Sequence, residues 1–581
     1  MGQKKKVNRG SFYFFAKTLC IALIFSLLCN SHVFAAPAQE LEESSIFESE
    51  DGLQSEDDPL ELESSDLPEE ESSDNIESPG DITEGNIKES ENSEAEESPT
   101  IKPLAFHSAN SHATLALALA GAASGDTITI TDNFQLTSAL TIPSGKSITI
   151  SGAKKITSSA TERHFIVNGT LILDGNITLD GGSNAGGLDI YSGGAVNLKA
   201  STIMNCTAFS GGGVYVRAGG SLNFMSSNAV ISGCSATRYG GGIYWNSSVD
   251  VLMNRGVVKN CTSFYGGGIY VNFDSGVSLT LSGDMLIENC SVTGYDYDVH
   301  DFDFLRGGGI WINYGTVNMT GTASILNCTA EGHGGAIYST KNGVLNFGLT
   351  SSDAPLLDGN KAIFNNWDAG SGGSIFSLGK VKINSGTISN SSAYNNGGAI
   401  FISDNTLTMN GGMIRSSRST NGGGVFLNTT ASIFLMNGGT ISQCVASSIG
   451  GGVDINGGVM TMLEYALIED CRAEPVSKNS SSRGGGIDVR KTGKLTVDGG
   501  TIDNCSIGPS VTGVDTIQMT LSGGGIFIDS EAFVELKNGA TISNCSSLNQ
   551  GGGIFVRSID NLTTDSTVVF SGNTAAFFRF P

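Results

Sequence analysis

The sequence predicts an all-β chain: a single-stranded right-handed parallel β-helix solenoid of about 25–29 residues per coil, preceded by a disordered acidic segment. Three observations carry that prediction. A glycine phrase followed by an aliphatic-large-aliphatic triplet recurs along the chain, and an Asn-Cys-Thr/Ser turn recurs at a fixed phase to it. The segments between them are short, rich in β-branched residues and without helical periodicity.

The chain opens with Lys4, Lys5, Lys6, Arg9 and Lys17, ahead of an apolar run at residues 19–28. Roughly 20 apolar residues are needed to cross a bilayer, so this run reads as a secretion signal and not as a span. Ala35, Ala36 and Ala38 supply the small residues of a cleavage site, which puts the signal at 1–38. The remainder is then expected to be secreted, extracellular or at a bacterial cell surface, with no transmembrane helix.

Between Glu40 and Ser98 stand 24 acidic residues against one lysine, Lys88, a net −23. With the five leading cations, that leaves −7 of the total −25 for residues 100–581. Such a segment buries too little apolar surface to offset chain entropy, so 39–108 reads as a disordered spacer. No basic stripe suits a nucleic acid, and nucleic acid is excluded as a partner.

From 109 to 581 the glycine phrase sets the coils. It reads Gly211-Gly212-Gly213-Val214-Tyr215-Val216 and returns at Gly240, Gly266, Gly307, Gly334, Gly372, Gly397, Gly422, Gly450, Gly484, Gly523 and Gly551, with a weaker copy at Gly186. Each coil is expected to hold three short strands. Leucine-rich repeats would need a leucine ladder and propeller blades about 40 residues, so both are set aside. An Ala/Leu-rich stretch at 113–123 predicts a short helix covering the open end of the first coil.

Period-two alternation sends the aliphatics of the triplet to one face and the middle residue to the other. The middle column is Tyr215, Tyr244, Tyr270, Trp311, Tyr338, Phe376, Phe401, Phe426, Phe527 and Phe555, interrupted by Asp189, Asp454 and Asp488. Charged residues are rarely buried unless paired, so this column is expected to face outward. A second column holds Cys206, Cys234, Cys261, Cys290, Cys328, Cys444, Cys471, Cys505 and Cys545, replaced in three coils by Asn360, Ser391 and Ser417. Nine is odd and the replacements come singly, which predicts a ladder of free, small, internal thiols. The Asn before each Cys is read as a turn residue tolerating a left-handed backbone, more than as a glycosylation acceptor.

Insertions fall at one corner. The distance from the Cys position to the next glycine phrase is 5 or 6 residues in most coils, but 17 after Cys290, 12 after Asn360, 13 after Cys471 and 18 after Cys505. These loops would wall the middle column, making Tyr215, Tyr244, Tyr270, Trp311, Tyr338, Asp454 and Asp488 the candidate ligand-binding residues. Aromatic faces at regular spacing can stack on sugar rings or cover a partner surface; equally, they can simply stabilise neighbouring coils by stacking on one another.

A catalytic set is not recognisable. Gly332-His333-Gly334 resembles the Gly-His-Gly of polygalacturonases, but His333 fills a position held elsewhere by Ser210, Tyr239, Tyr265, Arg306, Asn396, Asn421 and Gln550, and that family's Asp pair, Asn-Thr-Asp and Arg-Ile-Lys are missing. Asp296, Asp298, Asp301 and Asp303, beside His300, are weak candidates for calcium, since they lack an Asp-x-Asp-x-Asp-Gly loop, and no other cofactor is expected. No carboxylate pair recurs at a fixed offset to nominate an acid and a base.

Gly334-Gly335-Ala336-Ile337, Gly397-Gly398-Ala399-Ile400 and Phe570-Ser571-Gly572-Asn573 resemble the Gly-Gly-Ala-Ile and Phe-x-x-Asn repeats of polymorphic outer-membrane proteins. The array from about residue 112 is similar to the pectin-lyase-like β-helices of bacterial adhesin-like surface proteins. That resemblance implies non-enzymatic adhesion to a glycan or to a host or cell-surface protein. A polysaccharide lyase or glycoside hydrolase of the same fold is the alternative, and a purely structural surface protein the third reading. The chain departs from the family: most copies read Gly-Gly-Gly and no C-terminal barrel follows. Phe570 opens another coil shortly before Pro581, so the sequence is expected to be cut short there.

Overall fold

The computed structural model describes residues 106–159, 161–294, 305–364, 369–475, 481–508 and 521–576. Within them the chain winds in coils whose strands pair, in parallel, with their counterparts one coil on: Val214 with Ile243, Tyr215 with Tyr244, Val216 with Trp245. The strands assemble into a 6-stranded, a 39-stranded and a 15-stranded sheet.

One coil shows how the repeat does this. Gly211 turns the chain at φ 56°, Val214–Val216 follows, and then come Ser221–Phe224 and Ala229–Ser232. Gly233 at φ 62° makes a tight corner and Ser235–Tyr239 returns the chain to the next glycine phrase. The coil therefore has four extended segments where three were expected. The fourth arises because the strand after the glycine phrase breaks at Gly219 and Gly220; where no such break occurs, as in Ile310–Met319, the two segments run together.

Alternation places the aliphatics inside. Val214 and Val216 are fully buried and Tyr215 between them is half-buried, and the inner row continues through Ile243, Ile269, Ile310, Ile337, Ile375 and Ile400 without exposure. Each such side chain contributes about 1.5–3 kcal/mol of transfer free energy. The predicted N-terminal helix is His112–Gly121. Ser111 caps it by accepting the Thr114 N–H at 3.3 Å, and Leu115, Ala118 and Leu119 seat in the core of the first coils. The strand Phe106–Ala109 beside it pairs with Thr127–Ile130.

The corner before each Cys is left-handed at every rung, from Asn205 (φ 51°) to Asn544 (φ 53°). An L-residue pays a steric penalty there that Asn and Gly tolerate best, which explains the recurring Asn. All nine cysteines of the array are free and buried, as the ladder reading requires. Thiols at Cys206, Cys261 and Cys545 each donate to the carbonyl two residues back, at 3.2 Å. Burial pushes the Cys444, Cys471 and Cys505 thiols up from their ordinary pKa. Asn360 fills its rung as a polar plug, accepting the Cys328 N–H at 2.9 Å and donating to Ile325 O at 3.0 Å. These nine thiols are expected to resist a maleimide in the native protein and to react on unfolding; labelling of the native state, read by intact mass, would contradict the ladder.

Candidate functional site

The glycine phrase delivers the middle column to the outer side of its sheet, where it forms a core of its own, separate from the coil interior. The rings stack from coil to coil: Tyr244 on Tyr270 at 5.2 Å, Trp311 on Tyr338 at 4.4 Å, Phe376 on Phe401 at 4.4 Å and Phe401 on Phe426 at 5.3 Å. A second row leans on the first. Tyr239 stacks on Tyr265 at 5.2 Å, Tyr265 meets the edge of Trp311 at 4.6 Å, and His333 stacks on Phe376 at 4.2 Å. Arg306 donates to the Tyr338 hydroxyl at 2.6 Å.

This corrects the expectation of an outward-facing column open to solvent. The column does leave the coil interior, but Tyr270 and Trp311 are only 7% exposed, Tyr338 1%, and Asp454 and Asp488 not at all. Tyr215 and Tyr244 alone among the candidate residues are half-buried. The physical reason is a second row, contributed by the residue before the glycine phrase in four successive coils. Its signal was present in the sequence as Tyr239, Tyr265, Arg306 and His333 at one phase. Burial pushes the Tyr244 phenol up to about 12 and that of Tyr270 up as well.

The aspartates that interrupt the column are each met by an arginine, Asp189 and Asp454 by one from the following coil and Asp488 by one at its own rung. Arg217 donates to Asp189 through Nε at 2.8 Å and Nη2 at 2.9 Å, with its guanidinium 4.6 Å from the Tyr215 ring. Arg490 holds Asp454 in the same two-pronged way, at 3.1 and 2.8 Å. Arg483 lies 3.0 Å from Asp488 but off the hydrogen-bond line, so neither Asp488 oxygen accepts a hydrogen bond. Arg483 also sits 4.9 Å from the Phe527 ring and Arg490 5.9 Å from that of Phe426. Cations thus carry the stack across the two rungs that lack a ring.

Asp454 and Asp488 face each other across adjacent coils. Burial pushes the Asp488 carboxyl well above the ordinary range, and Asp454 adds to that push against the pull of Arg483. A raised folded pKa gives a stabilising contribution that is complete below the unfolded value, about 4, and is lost as pH rises through the folded value. Wild type should therefore lose stability as pH climbs from about 4 toward neutrality, and Asp488→Asn should flatten that slope. Denaturation midpoints across this range, with equal slopes for the two proteins, would refute the assignment.

His333 is held neutral: burial and then Arg306 push it down to about 3, and its Nδ1 accepts the Ser371 N–H at 3.2 Å. Its place in the ring stack agrees with the reading of His333 as a repeat position. Asp296, Asp298, Asp301 and Asp303 lie outside the described residues. Among the described residues no group of three or more His, Cys, Asp or Glu is placed to hold a metal ion, and no helix is long and apolar enough to cross a membrane.

Residues 138–315, which include Asp189, Tyr215, Tyr244, Tyr270 and Trp311, match the family described as a right handed beta helix region. The chain folds as a right-handed parallel β-helix. No curated protein matches it. In this β-helix the outer face of the glycine-phrase sheet is a second, ring-filled core closed by ion pairs. Two half-buried tyrosines and the flanking Phe209, which is 64% exposed, remain available at its N-terminal end.

Proposed function

We propose that the chain is a secreted, surface-associated β-helix protein that adheres to glycan or to a partner surface and catalyses no reaction. One observation supports this most: on the outer sheet, ionisable groups of the middle column and of the row beside it are taken up by arginines and ring stacks. Asp454 is bound two-pronged by Arg490, and His333 is stacked and neutral. General acid-base work needs a group within hydrogen-bond reach of substrate. The signal at 1–38, the acidic spacer and the likeness to adhesin-like repeats point the same way.

A polysaccharide-cleaving enzyme is favoured by one feature alone, the under-bonded Asp488 stacked on Asp454. A glycan array run with an assay for reducing ends and unsaturated sugars, with calcium present, separates the two. Retention without product is the expected result; product released by wild type and lost in Asp488→Asn would replace adhesion with catalysis.

A further inference from the structure

A groove of about 670 Å³ lies at the left-handed corner, away from the aromatic column. Two columns of the repeat line it, and both change character in the same three consecutive coils. The corner residue is Asn or Gly at the other rungs, but Ser416, Gln443 and Asp470 here, at φ 53°, 54° and 54°. The residue two positions on is Thr or Ser at nine rungs, from Thr207 to Thr574, but Arg418, Val445 and Arg472 in these coils; Lys361 is the one other departure. Those three are in register across adjacent strands, Arg418 beside Val445 and Val445 beside Arg472.

Departure from the repeat has a cost here. The left-handed region is more strained for Ser and Gln than for Gly or Asn, and this corner column departs from Asn and Gly only in these three coils. Elsewhere the corner Asn is used to tie coils together: Asn390 donates to Asp358 at 2.7 Å and Asn544 to Asp503 at 2.9 Å. In the three altered coils the corner side chains line the groove as well as bridging coils: Ser416 donates to Gln443 at 3.5 Å, and Asp470 accepts from Asn504 at 2.6 Å.

We propose that this groove binds an oligosaccharide ending in an acidic sugar, an inference that rests on the adhesive reading above and names its site and ligand class. The charge is graded. At one end Arg418, exposed and with no ion-pair partner among the described residues, sits on the same coil as Arg415. At the other end Glu469, Asp470 and Asp503 gather, and Arg472 is held by Glu474 at 2.8 Å. A guanidinium matches a sugar carboxylate in two-pronged geometry, and amide and carboxylate groups take hydroxyls. At roughly 4.8 Å per coil, the distance from Arg418 to Arg472 is about 10 Å, the length of a short oligosaccharide and not of a polymer acidic throughout.

The full chain is tested by calorimetry with sialyllactose, a glucuronate-capped oligosaccharide and lactose. Either acidic probe should bind, with lactose at least tenfold weaker. Arg418→Ala and Gln443→Asn should each weaken binding about tenfold with the melting temperature unchanged or, for Gln443→Asn, raised, while Thr262→Ala in a regular coil should change nothing. Equal affinity for lactose and the acidic probes, or unchanged binding in both groove variants, overturns the groove. If neither acidic probe binds but other glycans or cells are retained, the groove assignment fails and adhesion stands; if nothing is retained on any glycan or cell surface, the adhesive reading itself falls.

Discussion

Gly241→Ala is expected to destabilise the β-helix by about 3 kcal/mol or more, a large effect for a single methyl. A Cβ on Gly241 would stand 2.4 Å from the carbonyl oxygens of Gly267 and Thr262 and 2.6 Å from the Thr262 nitrogen. All three atoms are backbone of the next coil, so no side chain can swing aside. The only relief is to push adjacent coils apart, and that breaks the parallel hydrogen bonds between Ile243–Ser247 and Ile269–Phe273. Gly121→Ala is the control, because a methyl there meets nothing within 4 Å. Urea midpoints, with hydrogen exchange across residues 234–271 to catch local opening, should separate the two variants. A loss below about 1 kcal/mol for Gly241→Ala would show that coil spacing adjusts, against the picture of close-packed backbones.

Arg490→Leu should cost about 3–5 kcal/mol, because it strands the fully buried Asp454 without its partner. The ion pair itself need not be stabilising. Filling the rung with Asp454→Phe together with Arg490→Leu would extend the ring stack beyond Phe426, and such replacements of buried pairs are often neutral or better. The double variant is therefore expected to recover most of the loss. A thermodynamic cycle of the two single variants and the double tests this. If the double variant is as unstable as Arg490→Leu alone, the arginine is needed for packing and not for charge.

The repeat makes much of this fold readable from the chain alone. Alternation around Val214, Tyr215 and Val216 tells which side chains enter the coil, since a strand has only two faces. Asn before Cys tells where the corner is, since few residues accept a left-handed backbone. The free thiols follow from their odd number and single replacements. The number of extended segments per coil is less legible, because a break at Gly219 and Gly220 looks the same in sequence whether or not the strand resumes. The middle column reads in the right direction and with the wrong exposure. Which face a residue takes is a local property; whether that face is covered depends on Tyr239, Tyr265, Arg306 and His333 folding over it from neighbouring coils. The groove at Ser416, Gln443 and Asp470 is also present as a break in the corner column, visible once the register of Arg418, Val445 and Arg472 places both columns side by side.

The sequence by itself determined that the chain winds as a parallel β-helix, where each coil turns, and that aliphatics and thiols point inward. These follow from interactions within a coil or between identical phases of adjacent coils, so periodicity alone encodes them. The tertiary structure decided that the aromatic column is a buried second core, that Asp189, Asp454 and Asp488 are each met by a particular arginine, and that three irregular rungs share one groove. Those depend on which side chains from different phases meet outside the coil, and the spacing of a repeat carries no information about that.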